Sequence, residues 1–499
     1  MKKILVIIFI LVKGISYSNA QNIDNATRLN SILNKIYNIY GVRLNTLPKV
    51  KLSEAQLNVA EADIKGGKII IENSIFACRF NRTKIDTALA FVLGHELAHF
   101  YMHQNNQSNV TTTSFACYSN FDNSNENIEQ QCDVMGGFLA YLAGYKINDV
   151  LPSFIDSLYK NYPLDETKMK CYPSLAERKR TAEVVQKKVN RLIQIYEAGN
   201  YMLALNKPSY AAECYKEVLK EYQGAEMYNN LGVSYLYQAL YSQEDGNYKG
   251  DWIYPIQINT ASKLGKVNSS RGISKSEKKY VDSAMVYFKK ALTLNDTLPS
   301  AKINLICAYL ILNDATKAQE QLNRTNIAAE AKTLLQGLVY AEKKDSSQAK
   351  IAWKRVQNGF WHDVALQNVK IVNKETSAEN RAECFNDFDP TNNNEYQDIS
   401  NYEINERNAI NVGNHFQLKI DTTNNPSFGF YENDILRFKL LIHHDKNLPS
   451  LSIQEGVDCP RVGFDNNSQL LLRINRTKTF YKFDAEGHLL LWEIGRAHV

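Results

Sequence analysis

The chain is 499 residues long, which at about 150 residues per domain predicts roughly three folded units. Apolar residues make up 44% of it and charged residues 22%, a balance that excludes a wholly disordered chain and a collagen-like fibre. The formal net charge is only +5, from 58 Lys and Arg against 53 Asp and Glu. A nucleic-acid partner therefore has no electrostatic support, because the excess of cations is too small to neutralise a phosphate backbone.

The first twenty residues have the layout of a secretory signal peptide. Lys2 and Lys3 precede an apolar run over residues 4–12, and a polar stretch ends at Ala20. We expect cleavage after Ala20 and a mature protein that is periplasmic or secreted. An uncleaved anchor is the alternative, but Lys13 cuts the run short of the about 20 apolar residues that span a bilayer. No later segment reaches that length, so we expect no transmembrane segment after signal removal.

The sequence pattern changes along the mature chain and predicts separate structural parts. Residues 21–190 mix helical periods with a strand-like run, which predicts an α+β domain of the zincin-like metallopeptidase class discussed below. Residues 191–360 are almost purely helical in pattern. An Asn- and Asp-rich linker is expected at 361–396, followed by a small β-rich domain at 397–492 that the sequence truncates. Residues 493–499 resemble a translated sequencing adapter.

Small and large residues recur at fixed offsets within the helical region. The offsets match the tetratricopeptide pattern, in which a small residue lets paired helices approach and a large one fills the groove between repeats. The matching positions are Ala198, Gly199, Ala211 and Tyr215; Leu231, Gly232, Tyr235, Ala284, Phe288 and Ala291; Leu305, Tyr309, Ala318 and Leu322; and Gly337, Tyr340, Ala349, Trp353 and Val356. A generic helical bundle is the alternative. The polar insertion at residues 240–276 is expected to stand off one face of the solenoid.

The eight cysteines select no disulfide pairing. An even count permits disulfides in an exported protein, but the spacing favours none of the possible connectivities. The absence of a CxxC motif excludes a thiolate zinc ribbon. Cys214 and Cys307 lie at repeat positions that favour small residues, where we expect inert buried thiols.

The segment HELAH at residues 95–99 carries the clearest chemistry. Side chains four residues apart share a helix face, so His95 and His99 can aim their imidazoles at one ion, for which zinc is the natural choice. Glu96 is rotated about 100° from His95 and can reach a metal-bound water, whose pKa a zinc ion lowers to about 7. The helix is expected to begin near Asp86 as its N-cap.

A catalytic zinc site needs a third protein ligand, and Glu129 can supply it from a later helix. Asp133 lies one turn further on the same face, where it can hydrogen-bond the far nitrogen of a ligand histidine and fix its tautomer. A solvated helix face is the alternative for both residues. His103 extends the histidine series, but it lies about 6 Å further along the helix axis than His99, and we expect a satisfied or solvent-facing side chain there.

These segments resemble the HtpX-like and CAAX-prenyl-protease-like gluzincin metallopeptidases. That family has HExxH, then ExxAD on a later helix, then Ala-Gly-Tyr, then a His-Pro-Ser/Thr-x-x-x-Arg segment. The resemblance covers about residues 45–185. The matching segments are HELAH at 95–99, EQQCD at 129–133, Ala143-Gly144-Tyr145, and Tyr172-Pro173-Ser174 with Arg178.

The resemblance implies a site with one zinc ion per chain. It assigns the metal ligands His95, His99 and Glu129, the general base Glu96, and the supporting carboxylate Asp133. It also implies that Arg178 orders the site. The run Ile69–Ile71 would be the family's edge strand, to which an extended substrate adds by backbone pairing.

Two positions depart from the family pattern. Cys132 stands where the family has alanine, which puts a thiol near the metal helix. Tyr172 stands where the family has histidine before the proline. Its phenol could stabilise an oxyanion in the transition state, and a packed surface aromatic is the alternative.

The sequence therefore predicts an exported zinc metalloendopeptidase that cleaves polypeptides, with helical repeats that bind substrates or partner proteins. The order of domains resembles that of the BepA-like periplasmic members of the family, which implies a role in envelope protein quality control. The alternative is a repeat scaffold or chaperone whose zinc domain is latent or inactive. An integral-membrane protease is a third possibility, with little support from the sequence.

Overall fold

The computed structural model describes thirteen stretches of the chain before residue 375 and the backbone of nine strands after it. The stretches are 25–39, 42–45, 47–55, 58–77, 82–104, 123–145, 147, 150–161, 175–204, 208–240, 251–258, 278–357 and 359–374, together with the strands between 409 and 494. The predicted signal peptide, Tyr172 and residues 375–396 of the predicted linker lie outside them. The chain forms two compact units, Met1–Ile193 and Gln194–Val499.

The first unit combines helices with a small sheet. Its helices are α1 (residues 25–39), α2 (Arg82–Gln104), α3 (Asn123–Leu142), α4 (Val150–Asn161) and most of α5 (Leu175–Ala204). Its strands are β1 (Lys49–Ser53), β2 (Ala60–Asp63) and β3 (Lys68–Glu72), and a short 3-10 helix, Asn73–Ala77, follows β3.

Strand β3 lies in the middle of the sheet, not at its edge. It pairs in parallel with β1 and antiparallel with β2, so Ile70 faces Lys51 on one side and Glu61 on the other. The expectation of an edge strand at Ile69–Ile71 is therefore wrong. Charged residues at alternate positions make β1 and β2 hard to recognise in the sequence. Strand β3 has an apolar run, of which Ile69 and Ile71 are fully buried.

Helix α2 runs through the core of the first unit. It is apolar on every side, and all residues from Ala88 to Leu93 are buried, as expected for a helix enclosed by others. The helix begins at Arg82, one turn earlier than expected, so Asp86 is not its N-cap. The Asp86 carboxylate instead accepts a hydrogen bond from Nε of Arg28 on α1 at 2.6 Å.

The second unit is built from helical hairpins. Its helices are α6 (Pro208–Val218), α7 (Ala225–Leu240), α8 (Lys278–Leu294), α9 (Pro299–Ile311), α10 (Ala315–Arg324), α11 (Ala329–Glu342), α12 (Ser346–Lys354) and α13 (Gly359–Val372). Helix α13 occupies residues that the composition had placed in the linker. It forms because Val364 and Ala365 are buried, and the Asn- and Asp-rich composition begins only after it.

A glycine on one helix faces an aromatic ring on the next in three places. A Cβ atom built on Gly232 would lie 2.5 Å from the Phe288 ring, so only hydrogen fits there. The two members of a pair are sixteen positions apart where no insertion intervenes. The pairs are Gly199 with Tyr215, Gly232 with Phe288, and Gly337 with Trp353. The repeat positions in the sequence therefore correspond to real helix-to-helix contacts.

The hairpin of α9 and α10 keeps the same spacing with other residues. Ile306 takes the place of the glycine, and Leu322, sixteen positions later, takes the place of the aromatic residue. Both side chains are fully buried. A larger residue on one helix is thus matched by a smaller one on the other, which keeps the interhelical volume filled.

The insertion does not stand off the helices in the part that the structure describes. Residues 251–258 lie against α7, α9 and α13, and Ile253, Tyr254 and Ile256 are at most 4% exposed. The expectation of a protruding loop is wrong for this part, because its apolar residues are covered by the helices. Residues 241–250 and 259–277 lie outside the described residues.

The C-terminal region contains two antiparallel sheets. The strands are β4 (Ala409–Val412), β5 (Phe416–Asp421), β6 (Ser427–Glu432), β7 (Ile435–Asp445), β8 (Leu448–Gln454), β9 (Arg461–Phe464), β10 (Leu470–Arg473), β11 (Thr479–Phe483) and β12 (Leu489–Ile494). Strands β4 to β8 form one sheet in sequence order, and β9 to β12 form the other.

Two sequence predictions about single features can be read directly from the structure. Cys214 and Cys307 are free, fully buried thiols, as expected. Burial raises the pKa of both thiols above the ordinary value, which keeps them protonated. Among the helices described, none combines the length and the apolar character that a membrane span requires.

We predict that Gly337→Ala destabilises the second unit. Alanine is the better helix former by about 1 kcal/mol, but its Cβ would collide with the Trp353 ring, and overpacking costs about 1–3 kcal/mol. Chemical denaturation of the full chain measures the change in unfolding free energy. Val286→Ala, at a side chain that is 62% exposed, is the control and should change it by less than about 0.5 kcal/mol. Stabilisation by Gly337→Ala would contradict the close contact.

Candidate metal centre

The site lies where α2 and α3 touch backbone to backbone. A Cβ built on Gly136 of α3 would lie 2.5 Å from the backbone nitrogen of His95, and one built on Gly94 of α2 would lie 2.9 Å from the carbonyl oxygen of Gly136. Glycine on both helices permits this approach, because any side chain would hold the helices apart. The contact brings the two turns of α3 that precede Gly136 against the histidines of α2.

The two histidines of α2 converge as their spacing predicts. The Nε2 atoms of His95 and His99 are 3.1 Å apart, and the rings meet edge to face with centroids 4.8 Å apart. His95 is 0% exposed and His99 is 2% exposed. Two buried imidazoles with their Nε2 atoms directed at one point form half of a tetrahedral metal site.

Two carboxylates of α3 contact opposite ends of the His95 ring. The Nδ1 atom of His95 donates a hydrogen bond to Oδ1 of Asp133 at 2.8 Å. On the other side, Oε2 of Glu129 lies 3.3 Å from Nε2 of His95 and 3.5 Å from Nε2 of His99. One helical turn separates Glu129 from Asp133. One face of α3 therefore presents a carboxylate to each nitrogen of the His95 ring.

Arg178 of α5 lies behind Asp133. Its Nη1 is 3.5 Å from Oδ2 of Asp133, and the side chains of both residues are at most 5% exposed. A buried carboxylate is costly unless a cation or hydrogen bonds compensate for the lost hydration. Arg178 and His95 together supply that compensation, so Asp133 is held as an anion with a fixed orientation.

The thiol of Cys132 contacts the second histidine. Its Sγ lies 3.4 Å from Nδ1 of His99 and 3.6 Å from Sδ of Met102. Burial and the neighbouring carboxylates, Glu129 first, raise the pKa of Cys132 well above its ordinary value, so the group stays a neutral thiol. Sequence reasoning noted the departure at Cys132 but not this contact, since the spacing alone does not place α3 against Nδ1 of His99.

When no metal is bound, the pKa values give the histidine pair one positive charge. Burial lowers the pKa of His95, but the hydrogen bond to Asp133 and the nearby carboxylate of Glu129 outweigh burial and raise it to about 10. Burial lowers the pKa of His99, and the charge on His95 lowers it further. Burial raises the pKa of Glu129, but the two imidazoles outweigh burial and bring it to about 2. At neutral pH the group therefore holds His95 as a cation, His99 as a neutral ring and Glu129 as an anion.

The donor set fits a divalent metal ion. Among the residues the structure describes, one atom each of His95, His99 and Glu129 forms a group within 4.8 Å. Oε2 of Glu129 is buried, and its close approaches to the two rings do not have hydrogen-bond geometry. A carboxylate oxygen aimed between two imidazole nitrogens without a hydrogen bond to either is what a site shaped for a cation presents.

Glu96 lies beside these ligands and is 0% exposed. Its charge contributes to the raised pKa of both His95 and Cys132. His103 is not part of the cluster. The predicted oxyanion stabiliser, Tyr172, lies outside the described residues.

Comparisons with known proteins do not assign the chain to a family. No protein-family model and no curated protein matches the chain. Among solved structures it is similar to the human IFIT1 dimer with m7Gppp-AAAA, with 14% identity, a TM-score of 0.31 and coverage of 58% of this chain and 55% of IFIT1. PilF of Pseudomonas aeruginosa is 12% identical, with a TM-score of 0.26 and coverage of 58% and 99%. The matched part of IFIT1 is thus about half its length.

We predict that Gly136→Ala weakens metal binding. The added methyl group would meet the backbone at His95, so α3 must move and take Glu129 and Asp133 with it. Zinc affinity, measured by competition with a chelating dye, should fall by at least about tenfold, as it does when groups supporting a metal ligand are lost. Gly137→Ala is the control, because its Cβ would meet the Val189 side chain instead. Equal affinities in the two variants would show that the helix contact does not set the site.

We also predict that metal binding depends on pH. A metal ion must displace the Nε2 proton of His95, whose pKa in the metal-free chain is about 10. The affinity should therefore rise about tenfold per pH unit from pH 6 to 8, with about one proton released per ion. Calorimetry in buffers of different ionisation enthalpy counts that proton. An affinity that is constant over this range would mean that His95 is neutral before the metal binds.

Proposed function

We propose that the chain is a zinc-dependent endopeptidase. The observation that carries the proposal is the convergence of His95, His99 and Glu129 on one point, with Asp133 behind the first histidine. Two histidines and one carboxylate form the ligand set of hydrolytic zinc sites, and three protein ligands leave a fourth position for water or substrate. The resemblance to gluzincin peptidases in the order of motifs points to the same activity.

A zinc ion bound by these three side chains would supply a Lewis acid, which makes water more acidic and polarises a peptide carbonyl. Asp133 holds the His95 ring so that Nε2 faces the ligand position, and Arg178 holds Asp133. Cys132 would orient the His99 ring in the same way, since the Nδ1 atom of His99 can donate a hydrogen bond to the Cys132 sulfur.

Glu96 is the proposed general base. It takes a proton from the attacking water and returns it to the amine that leaves when the peptide bond breaks. Its burial beside the ligands keeps bulk water away, which strengthens its interaction with charges that develop in the reaction. Tyr172 remains the predicted partner of the oxyanion.

Polypeptides are the proposed substrates. Since β3 is internal, backbone pairing with an extended substrate falls to the outer strands, of which β1 has the more exposed side chains. The helical repeats, proposed to be of the tetratricopeptide type, would bind substrates or partner proteins. We also propose that the protein is exported, to the periplasm or by secretion, and that it acts in envelope protein quality control.

Protein binding with a silent zinc domain is the second candidate function. It is supported by the second unit itself, in which three asparagines on different helices bind the backbone of residues 251–258. That arrangement needs no catalysis, so the two functions must be separated by measuring cleavage.

We predict that Glu96→Gln keeps zinc and loses cleavage of casein. Removal of a general base costs about 10²–10⁴-fold in rate, whereas the ligand atoms are unchanged. Glu183→Gln is the matched control, an exposed glutamate on α5 whose change should alter neither zinc content nor rate. Glu129→Ala should lose the zinc itself. Metal analysis and turnover of each full-length protein supply the readouts.

Two results would contradict the peptidase proposal. One is equal casein cleavage by the original chain and Glu96→Gln, which would assign the activity elsewhere. The other is stoichiometric zinc with no cleavage of any unfolded substrate, which would favour the protein-binding function.

A further inference from the structure

Residues 251–258, here called the groove segment, are held to the second unit through their backbone. Asn304 of α9 accepts a hydrogen bond from the N–H of Gln257 at 2.7 Å, and its side-chain nitrogen donates to the carbonyl of the same residue at 2.6 Å. Asn229 of α7 donates to that carbonyl as well, at 3.0 Å, and Asn304 donates to Asn229 at 2.9 Å. The side-chain amide of Asn304 thus imitates a neighbouring strand.

A second asparagine repeats the arrangement four residues earlier. Oδ1 of Asn368 on α13 accepts from the N–H of Ile253 at 2.8 Å, and its Nδ2 donates to the carbonyl of Ile253 at 3.0 Å. Asn229, Asn304 and Asn368 are all fully buried. They belong to α7, α9 and α13, so the same side chain type recurs along the groove.

The apolar side chains of the groove segment fill the space between these contacts. Ile253, Tyr254 and Ile256 are almost completely buried. At one end, Trp252 donates its indole N–H to Glu342 at 2.9 Å, and its ring lies 5.9 Å from that of Trp353. Backbone pairing at regular intervals with apolar side chains between is how a folded surface binds a foreign peptide strand.

We propose that this groove is a binding site for extended, apolar polypeptide stretches, and that the groove segment is its built-in occupant. The asparagines contact backbone atoms that every polypeptide presents, so these contacts do not depend on the sequence of the segment. The turn at Pro255, where the N–H of Ile256 reaches the carbonyl of Tyr254, fits a ligand with proline at that place. The proposal goes beyond hydrolysis and does not require an active metal centre.

The fit of the built-in occupant is imperfect at one atom. The Nε2 atom of Gln257 is buried and finds no acceptor among the described residues. A buried donor without a partner is unfavourable, and an apolar side chain of similar size avoids that cost. A ligand with leucine at this position should therefore compete well with the segment.

The first experiment replaces residues 251–258 by an alternating Gly-Ser stretch of the same length in the full chain. The probe is the acetylated and amidated peptide Asp-Trp-Ile-Tyr-Pro-Ile-Gln-Ile, followed by fluorescence anisotropy. It should bind the replaced chain at least about tenfold more tightly than the original chain, and a peptide with leucine in place of glutamine should bind about tenfold more tightly still. A folded variant that does not bind the peptide would overturn the proposal.

Matched controls test the backbone pairing. A peptide methylated on the nitrogen that corresponds to Gln257 lacks the donor for Asn304 and should lose at least about tenfold in affinity. Asn304→Leu in the replaced chain should reduce binding of the unmethylated peptide similarly. Asn323→Leu, at an exposed position on α10, should leave it unchanged. If neither methylation of the peptide nor Asn304→Leu reduced the affinity, the proposed role of the asparagines would be overturned.

A second measurement decides the question if the replaced chain does not fold. Hydrogen exchange of the original chain reports on the amides of Ile253 and Gln257, which the asparagines protect. An excess of the leucine peptide should accelerate their exchange at least tenfold, because the segment leaves when the peptide enters. Unchanged exchange would make the segment a permanent part of the fold. A dimer formed by exchange of the segment between two chains would assign the groove to a second copy and also overturn the proposal.

Discussion

The contact between the backbones of α2 and α3 is the constraint on which the candidate centre depends. A metal site needs its donors on more than one element, and helices normally stand 8–10 Å apart. At Gly94 and Gly136 the two helices approach until no Cβ fits between them. Only at that separation can short carboxylates on α3 reach both nitrogens of His95. The glycines thus determine the chemistry although neither carries a functional group.

Much of the candidate centre could be predicted because its information is local. Helical spacing alone places His95 beside His99, and a fixed offset on α3 places Asp133 one turn beyond Glu129. The meeting of the two pairs was an inference from motif order, and the structure brings them together. The contact of Cys132 with His99 could not be predicted, because it depends on the rotation of one helix against another. Glycines inside both helical patterns were an available signal of close approach.

The fold could be predicted to a similar extent. The predictions that were wrong share one cause. Apolar periodicity identified the helices, and Gly232 and Gly337 were correctly read as close-contact positions. Strands β1 and β2 were missed because charged residues interrupt them, and the internal position of β3 follows from those strands. The insertion was expected to protrude because the apolar residues of the groove segment are few among polar neighbours. In each case the deciding fact was a partner distant in sequence, which local patterns do not contain.

The asparagine contacts also affect how the second unit loses its structure. In a linear array of hairpins each repeat touches its neighbours, so the terminal ones can fray while the rest persists. Here one stretch of chain bonds helices that are not adjacent, since it joins α7 and α9 to α13. Unfolding of α13 must break the hydrogen bonds between Asn368 and Ile253 and so loosen the groove segment along its length. The array therefore behaves less like a row of separable modules and more like a single cooperative block.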